Sequence, residues 1–486
     1  MRVASVIATL ILGTALVVGV GFYFVHASQA LQARIPLDYG EGPLLNQARW
    51  LAEGRPIYRA DLTDYPYTVA NYPPLYPLAV SIVGRLMGFS YATGRVVSAL
   101  ATLACSVGLG FIVFQMTRDR MAAAVTGALF LCFPYVIYWG PLGRVDMLAL
   151  AFSLWGIWAA LRWPDSLAGL GLSLLFLLAA VFTRQSYLLA APLAVMAHLG
   201  IRNRRRAFLF ALTLGVGILA GGGILTWLTD GGFLFHTVTA NANTFLLSKV
   251  VAVEAHAFLL NAPLIVLVLW EWLYYTNPYV NKPWIAIIYL VGGFLSGLTV
   301  GKVGSFVNYL LEWTAAMGLL VGIALARWHK EIPKGVYSLL SLTLAAQIPW
   351  TLYLGQSLTV QIWMRRALES EMPRLEQMVC SAPGPVLADE MMSLLVVCGR
   401  EVLLQPYEFK LLATEGKWDQ GRVVSDIRAG KFALILISDC PPFSAWVARD
   451  RWTPEMWAAI RERYEPVTIL AGTTVYRPKE TIPKEE

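Results

Sequence analysis

The stretch Leu37-Asp38-Tyr39-Gly40-Glu41-Gly42 sets two carboxylates just beyond the first hydrophobic span, at the head of a long polar loop in an otherwise apolar chain. A carboxylate at the water–lipid boundary can act as a base between a reactant dissolved in the bilayer and another arriving from water, and the loop is too long to be a mere connector. Later segments add charge at span ends: Arg144 and Asp146 in Gly143-Arg144-Val145-Asp146, then Arg184, Lys302 and Glu312. Arginine grips a phosphate by a forked contact and lysine as a point charge, so isolated cations there suit a phosphorylated reactant. Other common catalytic patterns are missing. The sequence has no phosphate-binding Gly-rich loop, no nucleophile elbow, and five histidines with none paired at zinc-ligand spacing.

The elements that must position these residues are transmembrane helices. With 57% hydrophobic and 14% charged residues and a mean hydropathy of +0.58, the chain is a polytopic membrane protein. At roughly 20 apolar residues per span, its length accommodates about eleven transmembrane helices and one soluble unit. The apolar runs fall near residues 3–25, 96–116, 121–139, 145–161, 167–183, 186–200, 206–229, 255–274, 284–301, 306–327 and 336–356. The run from Leu75 to Phe89 is too short to cross and is broken at its start by Pro73, Pro74 and Pro77, so it reads as an interfacial or re-entrant helix.

Charge gives the orientation. With the N-terminus inside, Arg2, Arg118, Arg120, Arg162, Arg202, Arg204, Arg205, Arg206, Lys282, Arg327, Lys330 and Lys334 all fall on the cytoplasmic side, which is how the net charge of +7 is best understood. Arg144, Arg184, Lys249 and Lys302 are the cations of the short outer segments. The expected arrangement is a multi-pass protein of the inner (plasma) membrane, with a transmembrane unit over 1–356, a first outer loop over 26–95 and an extracytoplasmic α/β unit over 357–486. The first span is longer than a signal-peptide core and reads as a retained anchor.

Within the first outer loop, Pro43, Leu44, Leu45, Ala48 and Leu51, ending at Gly54, describe a short amphipathic helix on the membrane surface. Tyr58, Asp61, Asp64, Tyr65 and Tyr67 follow, the tyrosines suiting an interface. In the C-terminal unit, Pro385–Ala388, Phe432–Ser438 and Val467–Leu470 read as strands and Pro454–Tyr464 as a helix. Cys105 and Cys132 lie in spans. Cys380, Cys398 and Cys440 lie where oxidation is permitted, and proximity favours a Cys380–Cys398 bridge.

Several of these segments occur in a recognisable order. Asp38-Tyr39-Gly40-Glu41-Gly42, the helix ending at Gly54, Tyr72-Pro73-Pro74-Leu75-Tyr76-Pro77, Gly143-Arg144-Val145-Asp146 and Gly304-Ser305-Phe306-Val307-Asn308-Tyr309-Leu310-Leu311-Glu312 resemble the GT-C class of multi-spanning glycosyltransferases, which includes protein mannosyltransferases and lipid A aminoarabinose transferases. The resemblance covers roughly the first 330 residues. One departure is that Gly40 stands before Glu41, where family members often carry an Asp.

The resemblance implies transfer of a sugar from a polyprenyl-phosphate donor to an acceptor hydroxyl on a glycan, lipid or protein at the outer membrane face, with inversion. It implies membrane lipids as partners and no nucleic acid. Either Asp38 or Glu41 would be the base, with Asp146 orienting it or the substrate. Tyr72, Tyr76, Arg85, Arg144, Arg184, Lys302, Asn308 and Glu312 would contact substrate, and Lys302 is the expected partner of Glu312. His236, Asn241 and Asn243 are further candidates for a sugar pocket. No cofactor is certain, although Asp38, Glu41 and Asp146 together could supply hard oxygen ligands to a divalent cation. The competing class is a flippase for lipid-linked glycans, whose marks would be ionisable residues along a midplane path and internal repeats.

Overall fold

The computed structural model describes residues 2–275, 283–438 and 451–480, so that Lys282 and Cys440 lie outside the described residues. The first helix, α1 (Arg2–Gln32), has 31 residues and a length of about 46 Å, more than the hydrocarbon core of a bilayer requires. After the first loop come α2 (Glu41–Ala52), α3 (Leu75–Met87), α4 (Tyr91–Thr117), α5 (Arg120–Leu131), α6 (Pro134–Trp139), α7 (Asp146–Arg162), α8 (Leu167–Thr183), α9 (Ala190–Arg202) and α10 (Arg204–Leu228). Helices Leu247–Leu260, Ala262–Tyr275, Trp284–Gly297, Leu311–Glu331 and Lys334–Leu354 complete the bundle.

Each expected span coincides with a helix or a broken helix pair, but not all are long enough to cross alone. Among the described residues five helices are long and apolar enough to cross a membrane, or six if the bent pair Leu247–Leu260 and Ala262–Tyr274 counts as one. The run 121–139 breaks because Pro134 lacks an N–H and starts a new helix. The run 255–274 bends by 83° between its two halves. Segment 75–89 forms the 13-residue helix α3. At the centre, Leu311–Glu331 is buried from Leu311 through Ala326, whereas α1 and α10 turn Val6, Leu10, Val17, Leu212 and Leu219 outward. A continuous apolar exterior of this kind is what contact with lipid requires.

The C-terminal sheet has the order β1-β2-β4-β3, formed by β1 (Val386–Ala388), β2 (Leu434–Ser438), β3 (Tyr464–Leu470) and β4 (Thr473–Pro478). The β1–β2 pair is parallel and the others antiparallel, and β4 is a strand that the sequence pattern does not announce. Tyr67 and Val69 of the first loop belong to the same apolar core as Leu387, Phe409, Val423 and Ile435 of the sheet and its helices. Backbone bonds reinforce this, with Tyr67 N–H donating to Leu403 at 2.7 Å and Gln405 N–H donating to Tyr67 at 3.0 Å. The first loop and the C-terminal unit therefore share one end of the bundle. Helix Gln356–Ala367, beyond the expected boundary at 357, leans on α1 and α6.

This docking corrects the expectation for α2. Rather than lying on a membrane surface, α2 is buried from Glu41 to Trp50, because the C-terminal unit covers its polar side. Arg49 faces Glu401 at 3.7 Å, Arg55 just beyond the helix forks onto Glu401 at 2.9 and 3.0 Å, and helix Met392–Val397 packs against it. A Cβ at Gly42 would stand 2.7 Å from Met392 Cβ, so only glycine permits the approach.

Cys380 and Cys398 are joined, with their Cα atoms 5.0 Å apart. Alkylation of the denatured chain followed by mass spectrometry should therefore add two further labels after reduction, both on peptides carrying Cys380 and Cys398. Labelling of these two residues without reduction would contradict the bridge.

Candidate active site

A cavity opens where the first loop, the loop-bearing end of the bundle and the C-terminal unit meet. Its walls carry Asp38, Tyr39, Tyr72, Arg144, Asn241, Asn243, Lys302, Asn308, Tyr309, Arg365, Glu390, Glu408 and Arg451.

Asp38 occupies the turn between α1 and α2. Its Oδ1 accepts the Gly40 N–H at 2.9 Å and faces Arg144 Nη1 at 3.0 Å, while Oδ2 has no protein donor among the described residues. Arg144 is held over the rings of Trp139 and Tyr72 and reaches the Tyr72 hydroxyl at 3.4 Å. Gly40 makes this possible, because a Cβ there would overlap the Arg144 guanidinium. The absence of a side chain at Gly40 thus gives Arg144 its seat. Enclosure raises the Asp38 carboxyl above the usual carboxylate range against the pull of Arg144, with Glu41 and Glu390 adding to the rise.

Glu41 is placed differently. Burial alone would raise its carboxyl, but Arg95 and the surrounding donors outweigh burial and hold it below the usual range. Arg95 Nε and Nη2 bind its two oxygens at 2.8 and 2.7 Å, and the N–H groups of Gly143 and Leu37 each donate at 2.9 Å. The remaining Arg95 donors go to the carbonyls of Ala30, Ala33 and Ile35, so all five are used. Glu41 therefore faces away from the cavity as the anchor of the loop that carries Asp38. Arg95, unremarked in the sequence because it sits inside an apolar helix, is its partner.

Asp146 is also behind the cavity wall. It is fully buried at the start of α7, paired with Arg184, and bonded by Trp139 Nε1 at 2.6 Å and Asn308 Nδ2 at 2.9 Å. Arg184 lies 4.2 Å from the ring centroid of Tyr309, which itself faces the cavity. Lys302 does reach the wall and donates to Asn241 Oδ1 at 2.7 Å, not to Glu312. Burial, with Arg184 nearby, pushes its ammonium down to about 8. Lys249 donates to the carbonyls of Lys302 and Ser305 at 2.9 and 2.7 Å, clamping the loop that bears Lys302.

Other expected residues stand apart. Glu312 is enclosed in the bundle and accepts from Ser153 at 3.2 Å. Tyr76 bonds Gly94 and Ser98, each at 3.0 Å, and Arg85 donates to Ala52 on the outer surface at 2.7 Å. His236 accepts from Ala70 N–H and donates to Arg59, so it braces the loop outside the cavity. Asp38, Glu41 and Asp146 do not converge as a ligand set, and among the described residues no three Asp, Glu, His or Cys side chains do. Conversely, Tyr39, Arg365, Glu390, Tyr407, Glu408 and Arg451 enter the site without a sequence signal, apart from the adjacency of Tyr39 to Asp38.

No family profile matches the chain, and no curated protein matches it by sequence. Among solved structures, ArnT from Cupriavidus metallidurans in the apo state superposes with a TM-score of 0.65 at 14% identity, over 96% of this chain and 97% of that one. The same protein bound to undecaprenyl phosphate gives 0.63 at 14% identity, over the same shares. The oligosaccharyltransferase AglB from Archaeoglobus fulgidus, in complex with an inhibitory peptide and a dolichol-phosphate, gives 0.52 at 11% identity, over 98% of this chain and 75% of that one. At such identities the likeness shows the fold, which is that of the GT-C glycosyltransferases.

Glu41→Gln leaves Arg95 buried without its counter-charge and should destabilise the protein by about 3–5 kcal/mol, seen as a lowered Tm in detergent. The pair's contribution is complete above the unfolded-state value of Glu41 and is lost as pH falls through the lower folded-state value. The Tm difference between parent and variant should therefore shrink in acid. An equal Tm at neutral pH would exclude the anchoring role.

Proposed function

We propose that this GT-C-fold chain transfers a sugar from a polyprenyl-phosphate carrier to an acceptor hydroxyl at the outer face of the membrane, with inversion at the anomeric carbon. The reading is carried by one observation: a carboxylate with a free oxygen, Asp38, shares a cavity with the cations Arg144 and Lys302 at the loop-bearing end of an apolar bundle. Neighbours of the same fold bound to undecaprenyl phosphate and dolichol-phosphate support the class of donor. An outward-facing cavity also favours a lipid carrier, because sugar nucleotides are made in the cytoplasm.

In the reaction the acceptor oxygen attacks the anomeric carbon while the bond from that carbon to the phosphate oxygen breaks, its electron pair leaving with the phosphate. The acceptor proton passes to Asp38 Oδ2. A carboxyl raised by enclosure is the stronger base. Lys302 and Arg144 hold the departing polyprenyl phosphate, whose negative charge grows as the bond breaks. Asn308 and Tyr309 form the wall against which these groups are set, with the buried Asp146–Arg184 pair behind it. A single displacement inverts the anomeric centre.

The test is transfer from a polyprenyl-phosphate sugar in proteoliposomes, with acceptors identified by comparing glycans of cells with and without the gene. Asp38→Asn should lower transfer by about 10²–10⁴-fold while the variant still binds the carrier. Movement of intact carrier without bond cleavage would overturn the reading. Gly40→Ala should displace Arg144 and lower kcat with little change in Tm, because a flexible side chain and not backbone must give way. The kcat/KM for donor should rise with pH as Asp38 ionises and fall as Lys302 loses its proton near pH 8. Lys302→Arg should remove the falling limb, since guanidinium stays charged.

A further inference from the structure

We propose that Glu408 and Arg451 of the C-terminal unit position the Asp38 carboxylate by gripping the adjacent Tyr39. This rests on the reading of Asp38 as the base.

Asp38 is held from both sides along the chain. On one side, the Leu37 N–H donates to Glu41 Oε2 at 2.9 Å, which ties it to the bundle through Arg95. On the other, the Tyr39 hydroxyl donates to Glu408 Oε2 at 2.5 Å and accepts from the Tyr407 N–H at 3.3 Å. The Arg451 guanidinium lies 4.4 Å from the Tyr39 ring centroid, and the Tyr407 ring meets it edge-on at 5.9 Å. Arg451 is paired in turn with Glu390, which Arg365 of helix Gln356–Ala367 approaches at 3.7 Å. Asp38 and Tyr39 share one peptide unit, so a displacement of the Tyr39 backbone carries the Asp38 Cα with it and shifts the carboxylate relative to Arg144. A phenol, a carboxylate and a guanidinium from separate elements are more than packing requires, and their common point is the residue next to the base.

The charged and titratable groups facing Asp38 are Arg144 from the loop before α7, Glu41 from α2, Glu390 from the C-terminal unit and Tyr138 from α6. Release of the grip moves Asp38 away from Arg144, the group that favours its ionised form.

The experiment compares Tyr39→Phe, Glu408→Ala and Glu408→Gln in the full chain, with Asp38→Asn as control, measuring kcat, donor KM, the acidic limb of the pH profile and Tm. Tyr39→Phe keeps the ring and its stacking on Arg451, so it tests the hydroxyl grip with the smallest change of shape. The expected result is a kcat lower by about tenfold or more, a donor KM within about twofold, and an acidic limb moved to higher pH. Glu408→Gln, whose amide oxygen still accepts from the phenol, should retain more activity than Glu408→Ala. A parental kcat and an unmoved limb in Tyr39→Phe, with Asp38→Asn inactive, would overturn the grip and leave the base assignment standing. An active Asp38→Asn would instead overturn the base assignment, and the grip with it. A loss of yield with parental kcat per folded molecule would assign these contacts to folding alone and also overturn the proposal.

Discussion

The buried Glu41–Arg95 pair is the constraint on which the cavity depends. A charged pair removed from water is tolerable only when every donor and acceptor is used, and here all five guanidinium donors and both carboxylate oxygens are engaged. The partners come from the end of α1, the start of α2, the first turns of α4 and the loop before α7, so their satisfaction fixes four chain segments at one point. Apolar residues of matching volume would fill the space but lose the directions that aim Leu37 and Asp38. The pair anchors one carboxylate so that the other can face the cavity.

The site is a seam and not a property of either unit alone. Asp38, Arg144 and Lys302 come from the loops of the bundle, while Glu390, Glu408 and Arg451 come from the C-terminal unit. The seam is continuous with packing, because Tyr67 and Val69 of the first loop are core residues of the C-terminal sheet. This accounts for the long first loop. It serves both as cavity wall and as the element on which the second unit folds.

Much of the bundle was legible because apolar runs of sufficient length have few alternatives to helix in a membrane. Helix boundaries were less so. Pro134 breaks one run and a bend divides another, and both are local events inside stretches of unchanged hydrophobicity. The surface-helix reading of α2 failed for a different reason: its polar side is covered by a distant part of the chain, which periodicity cannot reveal. Strand β4 was missed because a short segment ending in proline has little signal until β2 and β3 offer it partners.

At the site, the sequence by itself determined the residue types and their end of the bundle: paired carboxylates in the first loop, and isolated cations at the mouths of apolar helices. It also pointed to Asp38, Arg144, Lys302, Tyr72 and Asn308, all of which line the cavity. Only the tertiary structure decided which carboxylate is spent on an internal partner and which is presented, since Arg95 lies 54 positions from Glu41. It likewise withdrew Asp146, Arg184, Tyr76, Arg85 and Glu312 from the cavity surface and brought in Glu408 and Arg451. The physical reason is that a charged side chain's role depends on which opposite charges desolvation forces it to meet, and those meetings are made by helices packing across the bundle, not by neighbours in the chain.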